Sequence, residues 1–170
     1  MRRGYPGLMD LAALLDDARQ RLAGTPQERL GEIVQPRRVL GVARAPRIVP
    51  RVGAWHLGVL LLADDALYAT GEIVRAREEV RRGFTAESQR ERDALAGAAF
   101  RGGYAPGEVV HIGWAPIDLA AIARGDASGP VRIVEGMPRV RWSRAGGESD
   151  LAAYLDERVE LLRHPAPGAT

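Results

Sequence analysis

The chain is 170 residues long, 46% apolar and 27% charged, with a formal net charge of +2. That is the balance of a folded protein, not a disordered one. It contains no Cys, no Lys and no Asn, so all 24 basic residues are Arg. Disulfides, thiolate chemistry, Cys-bound zinc, Schiff-base lysines, Walker-type phosphate loops and Ser–Lys dyads are therefore excluded.

The length suits a single domain, expected over 1–164, with a loose tail at 165–170. Nowhere do ~18 apolar residues run uninterrupted, so no membrane span is expected. Asp10, Asp16 and Asp17 follow the two N-terminal arginines before any long apolar run, which makes a poor secretory signal. The expectation is a cytoplasmic protein. Codon bias in a GC-rich bacterium accounts for the abundance of Ala, Gly, Arg and Pro.

Taken in chain order, the first helix is predicted over about Leu8 to Leu22, where Leu11, Leu15, Ala18 and Leu22 share one face and Gly24 follows. Thr25 to Glu28, "TPQE", reads as a capping box with Pro at the first helical position, so a short second helix is predicted there. From Val39 the pattern turns strand-like, kept irregular by Pro36, Pro46 and Pro50. Ala54 to Val74 reads as one hairpin turning at Asp64-Asp65; that register sets His56 opposite Ile73 and Gly58 opposite Gly71. A helix follows from about Ala86 to Arg101, with Thr85 as its cap and Gly102-Gly103 as its end. Glu108 to Trp114 is a strand, and Pro116 opens a short helix closed by Gly125. Val131 to Trp142 is a second hairpin. Ser149 is expected to cap a last helix with Leu151, Leu155, Val159 and Leu162 on one stripe. The sum is α+β, a mostly antiparallel sheet with helices packed on it.

Charge is unevenly placed. Between Arg75 and Asp93 six arginines meet five carboxylates, and "ESQRERD" has no apolar face. A solvated or interface helix fits this better than an anion grip, because phosphate binding needs unbalanced charge. Arg90 is expected to pair with Glu87 and Asp93 at i,i+3. Between Ile33 and Ala63, in contrast, Arg37, Arg38, Arg44, Arg47 and Arg51 occur with no acid. In the second hairpin, strand parity sets Arg132, Arg139 and Arg141 on one face. Like charges opposed across strands are unfavourable unless a carboxylate or a ligand intervenes. These eight arginines are the candidate site for a small anionic ligand, since the guanidinium fork suits phosphate and carboxylate. Nucleic-acid binding is not expected at so low a net charge and only 5% aromatic content.

Of the three histidines, His164 stands at the end of the last helix. His56 and His111 lie in predicted strands and read first as structural. If those strands adjoin, the two form a general acid–base pair with Glu72 or Asp118 as carboxylate partner, the constellation of a small hydrolase or isomerase. No H-x-x-H, HExxH or carboxylate-rich loop is present, so neither a metal nor a cofactor is expected.

At "PRRVLGVARAPRIVP", "RAREEVRRGFTAESQRERD" and "ERVELLRHP" the chain resembles a family of small uncharacterised proteins of GC-rich actinobacteria, over nearly its whole length. Some of these carry the label glutaminase. Serine-type glutaminases use a Ser–Lys pair and amidotransferase glutaminases a Cys, and this chain has neither, so the resemblance implies no functional residue. The reading is a non-catalytic, self-associating α+β protein that binds a small anion through arginines; the alternative is the His56/His111 enzyme.

Overall fold

The structure, a computed structural model, describes residues 6–35, 44–78 and 87–165. Arg37, Arg38 and Thr85, and almost all of the expected tail, lie outside them. The elements are α1 (Pro6–Leu22), β1 (Glu28–Val34), β2 (Arg47–Leu57), β3 (Leu60–Leu62), β4 (Leu67–Ala69), β5 (Glu72–Arg75) and α2 (Glu87–Arg101), then β6 (Val109–Ile112), β7 (Ala115–Pro116), α3 (Leu119–Ala123), β8 (Val131–Val134), β9 (Met137–Arg141), β10 (Glu148–Asp150) and α4 (Leu151–Arg163). The class is α+β and the strand pairing mostly antiparallel; among the described pairs, β1–β6 alone is parallel. No helix among the described residues is long and apolar enough to cross a membrane. The chain divides into two compact units, and β2 gives its start to one and its last three residues to the other.

The first unit draws on the stretch ending at Gln27, on Trp55–Ala69 and on everything from Ala115 onward. Leu11, Leu15, Ala18 and Leu22 on α1 are each at most 1% exposed, which is the periodic face seen in the sequence. They share a core with Leu57, Leu60, Leu62, Val131, Val140 and the Leu151–Leu155–Val159 stripe of α4. Burying each such Leu stabilises by roughly 1.5–3 kcal/mol. Strand order here is β2-β3-β4-β7, with a separate sheet β10-β9-β8. Arg21 on α1 meets Asp17 on its own helix and Asp156 and Glu160 on α4, tying the two helices at their solvent edge.

The second unit takes the described parts of Glu28–Ala54 and Thr70–Trp114. Its strands run β5-β6-β1-β2. The helix α2 is exposed or half-buried from Glu87 to Leu95 and buried from Ala96 to Ala99, so the wet start expected from "ESQRERD" is what the helix has. Its small-residue end packs with Ile48, Val74, Val110, Ile112 and Tyr104. The Tyr104 hydroxyl donates to the Leu30 carbonyl at 3.0 Å, and Arg29 lies over the ring while its Nε and Nη2 bond Glu108. Burial pushes this phenol up to about 12, with the Arg29 charge opposing and Glu108 assisting. A raised phenol pKa means that folding favours the neutral form. Its stabilisation is complete below the unfolded value near ~10 and is lost as pH climbs through the folded one. Melting temperature should therefore fall from about pH 10 to about pH 12, and Tyr104→Phe should flatten part of that decline.

Four expectations give way. Thr25 to Glu28 starts no helix; Glu28 opens β1, which is hydrogen-bonded on both sides, to β2 and to β6. A capping box stabilises by about 1 kcal/mol, less than two ladders and a packed face supply. The hairpin from Ala54 to Val74 is really two tight turns. Asp64-Asp65 does turn the chain, but Gly58-Val59 turns it first, so His56 faces Leu61 rather than Ile73, and Ile73 faces His111. Gly58 sits at φ +67, a conformation that costs other residues energy, and this makes the break inside an otherwise continuous apolar run. Asp93 bonds Arg77 and Gln89 instead of Arg90. Finally, Ser149 belongs to β10 and the cap of α4 is Asp150, whose carboxylate accepts from Ala153 N at 3.0 Å.

Candidate anion site

The β8–β9 hairpin closes on a two-residue turn, Glu135-Gly136, which puts Arg132 directly opposite Arg139. Val131 pairs with Val140 and both face the core at 0% exposure, so alternation turns Arg132, Arg139 and Arg141 outward together. The expected crowding of like charge is real, and a carboxylate relieves it. On the other side of β9, β10 sets Glu148 opposite Arg141 and Asp150 opposite Arg139. Glu148 then reaches across β9 to Arg132, whose Nε and Nη2 donate to its two oxygens at 2.8 Å each. This sequence-distant Glu was absent from the sequence-based reading.

The electrostatics follow from that pairing. The Arg132 hydrogen bonds hold Glu148 below the usual carboxylate range; desolvation opposes them, and the charges of Arg132, Arg139 and Arg141 assist. The same pair raises Arg132. A depressed carboxylate stabilises the fold above its unfolded pKa, and that support disappears as pH falls through the folded value. Arg132→Gln should move the Glu148 titration upward toward an ordinary glutamate, leaving the residual pull of Arg139 and Arg141. A carboxyl-carbon NMR titration reads this directly.

Three guanidiniums against Glu148 and Asp150 leave this face at +1. Asp150 is further engaged as a helix cap. Arg139 and Arg141 make no ion pair among the described residues. Beside them opens a cavity of about 340 Å³, walled by Ala127, Pro130, Val131, Arg132, Arg141 and Glu148. The chain matches no protein-family model, no curated protein and no solved structure. What the site does must come from its own chemistry.

The remaining candidates fall in both units and are described unit by unit. Arg44, Arg47 and Arg51 belong to the second unit and are exposed there. The run that holds them lacks acid in sequence but not in space, since Arg51 bonds Glu32 of the neighbouring β1. His111 is also in that unit, at 0% exposure, with its Nε2 bonded to Glu28. Its carboxylate partner is thus Glu28, which the pairing of β1 with β6 brings there. Glu72 lies exposed on β5 opposite Ile112. Asp118 caps α3 by accepting from Ala121 N. His56 belongs to the first unit, where its Nε2 lies 2.9 Å from the Gly58 carbonyl. A carbonyl only accepts, so this nitrogen carries the proton and the ring braces the turn.

Proposed function

We propose that the protein binds a small anion on the outer face of β8–β10, with Arg141 as the principal contact and Arg139 adding long-range attraction. The observation that carries this reading is the exposed Arg141 guanidinium, which faces a cavity while the neighbouring Arg132 is already taken up by Glu148. A free fork of N–H donors beside a concavity is what recognises carboxylate or phosphate. The acid–base alternative has less behind it. At 0% exposure, with its Nε2 tied to Glu28, His111 presents no imidazole to a substrate and reads as a structural core group.

Melting temperature followed against chloride, acetate and phosphate at low salt tests the proposal. A ligand at 100 times its Kd should add about 2.7 kcal/mol to stability. Arg141→Gln should abolish that shift without lowering the unliganded Tm, because an exposed arginine that makes no ion pair among the described residues contributes little to folding. Equal shifts in wild type and Arg141→Gln would place the anion elsewhere and end the reading.

A further inference from the structure

Resting on that reading, we infer that the ligand is a small monocarboxylate with a short apolar body, and that Glu148 is the residue that enforces the single charge. The cavity wall carries two guanidiniums, Arg132 and Arg141, and one carboxylate, Glu148, a sum of +1. A singly charged ligand neutralises that wall. A dianion such as hydrogen phosphate or a dicarboxylate would leave surplus negative charge beside Glu148, whose carboxylate the Arg132 hydrogen bonds hold below the usual range.

Donor supply gives the same answer. Arg132 spends Nε and one terminal nitrogen on Glu148, so the complete planar fork on this wall belongs to Arg141. One fork satisfies one carboxylate through two parallel hydrogen bonds, whereas a phosphate presents more oxygens than a single guanidinium serves. The rest of the wall, Ala127, Gly129, Pro130, Val131 and Gly146, carries no further charged side chain, and Pro130 has no N–H to offer an anion. These surfaces suit a few methylenes rather than a second charged group. Each methylene that leaves water there should tighten binding about three- to fourfold until the cavity is full.

The discriminating experiment is a calorimetric titration of the whole chain, at fixed ionic strength and a mildly alkaline pH where phosphate is the dianion, with butanoate, succinate and inorganic phosphate. Wild type should bind butanoate at least tenfold more tightly than either dianion, and acetate more weakly than butanoate. Arg141→Lys keeps the charge but loses the fork, and should weaken butanoate about tenfold. Glu148→Gln raises the wall to +2 and releases Arg132, so phosphate should gain at least tenfold while butanoate changes little. If phosphate or succinate binds wild type as tightly as butanoate in an Arg141-dependent way, the ligand class is wrong and the anion reading survives. If Glu148→Gln leaves phosphate unchanged, the charge-filter role of Glu148 is overturned. No Arg141-dependent binding of any of them removes the site itself.

Discussion

Gly102→Ala should destabilise the second unit by about 3 kcal/mol or more, measured as a shift in the urea midpoint at unchanged slope. Gly102 closes α2 by donating to the carbonyls of Ala98 and Ala99, and it does so directly against β2. A Cβ built there runs into the carbonyl oxygen and carbon of Ile48. The obstacle is backbone, so no rotamer change relieves it. Ile48 is also 0% exposed, paired with Ile33 across the β1–β2 ladder and packed into the core under α2. Either the helix end lifts from the sheet or the ladder breaks. Overpacking of a core usually costs about 1–3 kcal/mol, and the rigid obstacle puts this case at the top of that range. The adjacent Gly103→Ala is the control. Gly103 sits at φ +104 with nothing within 4 Å of its added Cβ, so that variant bears backbone strain alone, about 1–2 kcal/mol. A larger loss at 103 than at 102 would show that close approach is not what selects glycine here.

The contrast between these two glycines illustrates what a sequence makes legible. "GG" after a helix announces a stop, and both residues deliver it; only the fold separates the one that turns from the one that touches. The same division runs through the chain. Helical stripes on α1 and α4 depend on local spacing and a single apolar face, so Leu11 to Leu22 and Leu151 to Val159 point inward as their periodicity dictates. Pairing parity within β8–β9 is equally local, and it set the three arginines on one face. Partners distant in sequence are another matter. Glu148 meets Arg132 because β9 lies between β8 and β10, and Glu28 meets His111 because β1 runs beside β6. Neither adjacency is written in the residues near them. The capping box at Thr25 failed for a related reason: a local preference of about 1 kcal/mol was outweighed by two strand partners. Gly58 was readable in principle, because a lone glycine in an apolar run marks a backbone departure.

Tyr154→Ala should cost about 3–5 kcal/mol, and Tyr154→Phe alone about 1–3. Tyr154 is 4% exposed on α4, with Leu151, Leu155 and Val159 around it in the first unit's core. Its hydroxyl does two things at once. It donates to the Leu57 carbonyl at 3.0 Å and accepts from the Val59 amide at 2.9 Å, so it bonds the backbone on both sides of Gly58. Arg158, one turn further along the helix, lies over the ring, 5.2 Å from its centroid. Removing the oxygen takes away the bond recorded for the Val59 amide and one bond to the Leu57 carbonyl where water has little access, and a group left unpaired there carries its desolvation cost without a return. Removing the ring as well adds a cavity in a packed core. Amide hydrogen exchange separates the two effects. In Tyr154→Phe the Val59 amide should lose protection by more than the global destabilisation explains, while amides of α1 follow the global loss. If Val59 remains as protected as its neighbours, the turn is held by Gly58 and the β2–β3 ladder, and the hydroxyl contributes only to packing.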